Sequence, residues 1–212
     1  MLIKLKIGSL ISTVIFFVII VLTQDPDSKI GGVFRTLNLV SYIIFIISAL
    51  VLATVLYKEL RAKKILRKAV VRDGIWDENE LKVTARGMFY KIQYALAEFD
   101  MTNLKDYLTT EFLLMFTSEV QKLRATNRKI EVDSIDITET RIVCSRDFLN
   151  NDKDRFVAYI KGNLTLDSKS KGFEEMYHFI RNDNDWLLNK INGYIRLIDI
   201  LFEESFIEKE KR

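Results

Sequence analysis

Two uninterrupted apolar runs, residues 5–22 and 39–56, constrain this chain more than any other feature. A helix crosses a bilayer with about 20 mostly apolar residues, within a range of about 17 to 25. The first run carries a single charge, Lys6 near its start, and the second carries none. Neither has the polar stripe that a surface helix of a soluble domain shows. The expectation is a transmembrane hairpin over residues 1–57, with helices at about 5–23 and 38–57. A cleaved signal peptide is the alternative for the first run. Its basic start fits one, but no A-x-A-like site follows Leu22.

The charges around the runs set the orientation. Lys4 and Lys6 precede the first run, and between the runs Asp25, Asp27, Lys29 and Arg35 cancel. After the second come Lys58, Arg61, Lys63, Lys64, Arg67, Lys68 and Arg72, opposed only by Glu59. Short loops rich in Lys and Arg stay on the inner side. Both termini and the soluble domain are therefore expected inside, with residues 24–37 facing out. That side is the cytoplasm for a bacterial cell membrane or the matrix for a mitochondrial inner membrane. Residues 1–72 carry a net charge of +8 and the remainder −5. The basic pI thus comes from the membrane-proximal part, and the mildly acidic remainder argues against a nucleic-acid partner.

Residues 58–76 are expected to form a basic juxtamembrane helix. Lys58, Arg61, Lys64 and Lys68 share one helical face, and Ile65, Leu66, Ala69 and Val70 lie largely away from it. Basic residues beside a spanning helix attract anionic headgroups by about 1 kcal/mol each. Lys58, Arg61, Lys63, Lys64, Arg67 and Lys68 are the candidate lipid contacts. Fixing the topology alone would need the same charges.

From Asp77 to residue 192 the pattern is that of an α+β domain. Asp77 with Glu80 suits a helix start, and Leu81, Ala85, Met88, Phe89, Ile92, Leu96 and Phe99 recur at helical spacing before Asp100 ends the helix. A short helix to Leu108 follows. A third helix, capped by Thr109 or Thr110, has its apolar face at Leu113, Phe116, Val120 and Leu123. The period then changes to two. Ile135 and Ile137, then Ile142 and Val143, mark two strands or a long bent pair. Residues 156–166 alternate as a half-buried strand. Residues 167–172 read as a turn, 173–181 as a strand, 182–185 as a second turn and 186–191 as a last strand. Residues 193–212 are expected to form an amphipathic helix with Tyr194, Leu197, Ile198, Leu201 and Phe202 on one face.

Two blocks carry a resemblance. In residues 85–116, Phe89 is followed by Ile92-Gln93-Tyr94-Ala95, then Asp100, then Leu108-Thr109-Thr110-Glu111. In residues 173–191, Glu175, Tyr177, Phe179 and Arg181 precede Trp186, Leu188 and Ile191. This resembles the TIM-forty-four-like domain family, named after the peripheral subunit of the mitochondrial protein-import motor, with Tyr177 where the family usually has Trp. The match covers about half the chain. The resemblance implies a cone-shaped antiparallel sheet packed on three helices, a hydrophobic pocket, and contact with inner-membrane lipids such as cardiolipin. Phe89, Ile92, Tyr177, Phe179 and Trp186 are the pocket candidates. The spanning hairpin, and the lack of a long chaperone-recruiting region ahead of it, depart from the import-motor subunit. Its translocation activity is not carried over.

Chemistry-bearing residues are sparse. His178 is the only histidine and no partner for acid–base work is named by the pattern. Cys144 is the only cysteine, which leaves no internal disulfide and no cysteine-based metal cluster. No His/Cys metal spacing and no Gly-rich phosphate loop occurs. Glu175 and Arg181 flank an aromatic strand, at a pocket mouth or in structural pairs. Asn163-Leu164-Thr165 is a formal glycosylation sequon placed mid-strand. The expectation is therefore a membrane-anchored, non-enzymatic scaffold without metal or cofactor, holding a protein partner near the anionic inner leaflet. A lipid- or small-molecule-binding module and an accessory subunit of a large membrane assembly are the alternatives.

Overall fold

A computed structural model of the chain describes residues 31–125, 131–193 and 203–208. The first apolar run lies outside them, so the structure shows one apolar helix where two were expected. The chain divides into two units, Met1–Leu56 and Tyr57–Arg212.

Helix α1, Gly31–Arg72, is 42 residues long. It replaces the expected break between a span at 38–57 and a separate basic helix at 58–76. It also takes in residues 31–37, which were expected in a loop. No Gly or Pro interrupts residues 33–72, so nothing stops the helix once started. In the first unit its residues from Val40 onward are exposed or half-buried, with Ile44, Ile47 and Leu50 more than half exposed. By length and composition, the helix from Val40 to Arg72 is long and apolar enough to cross a membrane.

In the second unit the same helix changes character. Ala62, Ile65, Leu66 and Ala69 are buried, and Leu66 and Ala69 belong to the core that contains Trp76, Phe89 and Phe156. The basic stretch is thus an element of the domain rather than a spacer before it. It ends at Arg72, four residues earlier than expected. Asp73 stops it by accepting from the Ile75 N–H, which turns the chain into a single 3-10 turn, Gly74–Trp76.

Helix α2, Glu78–Glu98, starts at Asp77, whose Oδ1 accepts from the N–H groups of Asn79 and Glu80 at 2.9 and 3.0 Å. Such a cap satisfies two of the four donors a helix start leaves unpaired. Its end is at Phe99, in the left-handed region at φ 54°, one residue before the expected Asp100. Asp100 accepts instead from Thr102 N–H at 2.8 Å, and the Thr102 side chain, then this N–H, lower its pKa. The expected short helix is only a 3-10 turn, Thr102–Leu104. Helix α3, Thr110–Ala125, buries Phe112 and Val120 and leaves Leu123 exposed, a correction of the expected face.

The sheet is a curled, five-stranded half-barrel in the order β4-β3-β2-β1-β5. β1 is one strand, Val132–Asp147, with three register shifts, where two strands or a long bent pair were expected. β2 spans Arg155–Leu166, β3 Lys169–Asn182 and β4 Asp185–Gly193, all antiparallel. The turn between β2 and β3 takes two residues rather than six. Asp167 and Ser168 supply it at φ 47° and 62°, the backbone that fits the twist of a tight hairpin. Strand β5, Phe206–Ile207, pairs parallel with Arg146 and Asp147. Residues 203–208 are therefore not helical as expected. The rest of that helix, residues 194–202 and 209–212, lies outside the described residues.

The sheet has two buried faces at its centre. Phe156, Ala158 and Ile160 point into the main core with Tyr177, Phe179 and α2. Phe156 and Phe179 stack with centroids 4.4 Å apart, and Trp186 meets Phe156 and Trp76 edge-on at 4.8 and 5.0 Å. Val157 and Tyr159 alternate with these and are buried too, so the first half of β2 is covered on both sides rather than half-buried.

Candidate functional site

The basic face of α1 is intact. Arg61, Lys63, Lys64, Arg67 and Lys68 are all exposed, opposite the buried Ala62, Ile65, Leu66 and Ala69. Lys58 departs from the expected set: it is half-buried and donates to the Glu203 carbonyl at 3.0 Å. Arg72 reaches Asp147 at 3.1 Å. Glu59, the one acid in this stretch, turns to the sheet and meets Arg141 at 3.2 Å.

That contact belongs to a polar cluster on the outer face. The Arg141 guanidinium lies 4.8 Å over the Tyr159 ring, between Glu59 and Glu139, with Arg141 Nε 3.0 Å from Glu139. Tyr159 is buried and its hydroxyl has no hydrogen-bond partner; burial, with the Glu174 charge adding to it, pushes its pKa up. Beside it Lys161 pairs with Glu174.

His178, on the same face, does have neighbours that sequence spacing does not reveal. Its Nε2 lies 3.2 Å from Asn192 Nδ2, and its Nδ1 is 3.9 Å from Glu203. Burial lowers its pKa below 6.5; Glu203 opposes that, and Lys190 and Arg146 add to it. Arg146 in turn binds the Glu203 carboxylate at 2.9 Å and the Glu204 carbonyl at 3.0 Å. Cys144, fully buried, donates to the same carbonyl at 3.2 Å, and burial pushes its thiol up to about 12. Its reactivity as a thiolate is suppressed. This cluster ties residues 203–208 to β1, β3 and α1.

A third polar group closes the end of the domain near Arg72. Arg181 bridges Asp73 at 2.5 Å and Asp154 at 3.2 Å, and its Nε donates to the Asp183 carbonyl at 2.6 Å. Asp154 is fully buried and also accepts from Phe148 N–H at 2.7 Å. Burial is the first cause raising both Asp154 and Asp147. Glu175 does not meet Arg181. It accepts from the Tyr177 hydroxyl at 3.1 Å on the inner face. Asn163 sits within β2. Among the described residues no group of three or more His, Cys, Asp or Glu side chains is arranged to hold a metal.

The pocket candidates lie in the core. Phe89, Tyr177 and Phe179 are fully buried and Ile92 nearly so. Trp186, also buried, lines a groove of about 640 Å³ that reaches Gly74, Thr84, Lys91 and Tyr107. A second concavity, about 690 Å³, opens beside the β2–β3 hairpin. Neither was legible in the sequence, since each is built by strands and loops far apart in the chain. No known protein family matches this chain, and no curated protein or solved structure does either.

Proposed function

We propose that this chain is a membrane-anchored, non-enzymatic scaffold, whose inner-face domain holds a protein partner or membrane complex against the anionic leaflet. One observation carries the reading: the stretch after the apolar helix buries one side in the domain core and presents Arg61, Lys63, Lys64, Arg67 and Lys68 on the other. A helix that is both core element and basic surface fixes the domain's charged side. Attraction of about 1 kcal/mol per basic residue near an anionic surface then sums over five side chains. The loop-charge asymmetry supports a second span at residues 5–22 and an inner location. The resemblance to TIM-forty-four-like domains, with a cone-shaped sheet, is consistent with this placement and is part of the proposal.

Mild extraction of the full-length protein after crosslinking, followed by mass spectrometry, tests the scaffold. A reproducible, stoichiometric set of protein partners is expected, reduced when the five basic residues become Gln. A protein that emerges alone overturns the reading. Partner recovery unchanged in the five-fold variant removes the role of the charges.

A further inference from the structure

The concavity beside the β2–β3 hairpin is independent of the anchoring reading. Its walls are Leu164, Leu166 and Phe173, with Gly162, Gly172 and Gly193 contributing backbone alone. Phe173 is held in place by the core: its ring stacks on Phe89 at 4.4 Å. It also lies across Gly162, where a Cβ would come within 2.9 Å of the ring and 2.1 Å of the Asp136 carbonyl oxygen. The floor is therefore preformed. At about 690 Å³ the volume falls in the range of sites for small organic molecules, about 300–1,000 Å³.

The rest of the lining is polar: Lys161, Asn163, Lys171 and two carboxyls, Glu174 and Glu175. Glu175 lies on the strand face of Phe173 and Tyr177, and the buried Tyr177 hydroxyl holds one of its oxygens at 3.1 Å. Burial raises its pKa, with the Tyr177 bond as the counterweight. Two cations line the space with it: Lys161, which Glu174 engages, and Lys171, across from Leu164 on β3. A carboxylate in such a setting is stabilised most by a cation brought to it.

We propose that this concavity binds a small organic amine, its apolar body against Leu164, Leu166 and Phe173 and its ammonium on Glu175. Glu175 repels an anionic molecule of the same shape, with Lys171 in the lining as the opposing charge, and an alcohol gains only a neutral hydrogen bond. The site adjoins the filled interior of the half-barrel, with Phe173 as the shared wall against Phe89.

The test uses the full chain in zwitterionic nanodiscs, methyl-labelled at leucine, titrated with benzylamine, benzyl alcohol and benzoate. Saturable shifts of Leu164 and Leu166 with benzylamine are expected, with the other two compounds at least tenfold weaker. Glu175→Gln is expected to weaken benzylamine at least tenfold while leaving the remaining methyl spectrum in place. Leu164→Trp, which fills the space without touching the carboxyl, is expected to abolish binding. Equal affinity for the alcohol, an unaffected Leu164→Trp variant, or no saturable shift overturns the proposal. None of these outcomes bears on whether protein partners assemble at the membrane.

Discussion

The two faces of one sheet are stabilised in different ways. On the inner face Phe156, Ala158, Ile160, Tyr177 and Phe179 bury apolar area against α2, and stacked and edge-on rings fill the space. On the outer face the same strands bury Val157, Tyr159 and Cys144 beneath a polar layer of Arg141, Glu59, Glu139, Arg146 and Glu203. Inner-face stability comes from area and fit. Outer-face stability depends on every charge keeping its partner, because taking one away strands the other. The same strand is thus robust to charge on one side and sensitive to it on the other.

That contrast can be broken by substitution. Phe156→Ala should have the largest effect, about 3–5 kcal/mol, through the cavity it leaves under Phe179 and Trp186. Thermal unfolding of the full chain in detergent micelles measures it, and a loss below about 1 kcal/mol would mean the aromatic stack is not the centre of the core. Arg141→Met should cost about 1–3 kcal/mol, since Glu59 and Glu139 both lose their partner. The double variant Arg141→Met with Glu59→Gln should recover part of that loss; a purely additive result would show that the two do not interact.

A shallower effect is expected from pH. The folded state lowers the His178 pKa below its ordinary 6.5, so the unfolded chain binds that proton more readily. This stability is present above about pH 6.5 and is lost as pH falls through the folded value. The difference between wild type and His178→Gln, followed by unfolding from pH 7.5 to 5.5, should diminish on acidification; a pH-independent difference would place His178 outside the linkage. Smallest of all should be Tyr159→Phe, which removes a buried hydroxyl that has no partner. Stability should change by less than about 0.5 kcal/mol or rise. A clear loss would reveal a hydrogen bond to that hydroxyl.

The same contrast explains what sequence spacing discloses. Inner-face residues repeat at periods of 3.6 and 2, and α2, β2 and β4 follow from them. Outer-face partners come from distant segments: Glu59 and Arg141, or His178 and Glu203, share no local pattern. The one available hint was Glu59, a single acid in a basic helix. The tight turn at Asp167-Ser168 was obscured by Gly172, which looks like a turn residue but sits within β3. Residues 203–208 carry none of the apolar face expected of the C-terminal helix, and the edge of β1 draws Phe206 and Ile207 into a ladder. Of the pocket candidates, Phe89, Ile92, Tyr177 and Phe179 pack into the core, and Trp186 lines a groove at its edge.

The burial of Ala62, Ile65, Leu66 and Ala69 bears on how this protein can be turned over. The basic side chains around them are attractive targets for a trypsin-like protease. A cut there would remove part of the hydrophobic core from the C-terminal fragment, so cleavage at this stretch is coupled to unfolding of the domain.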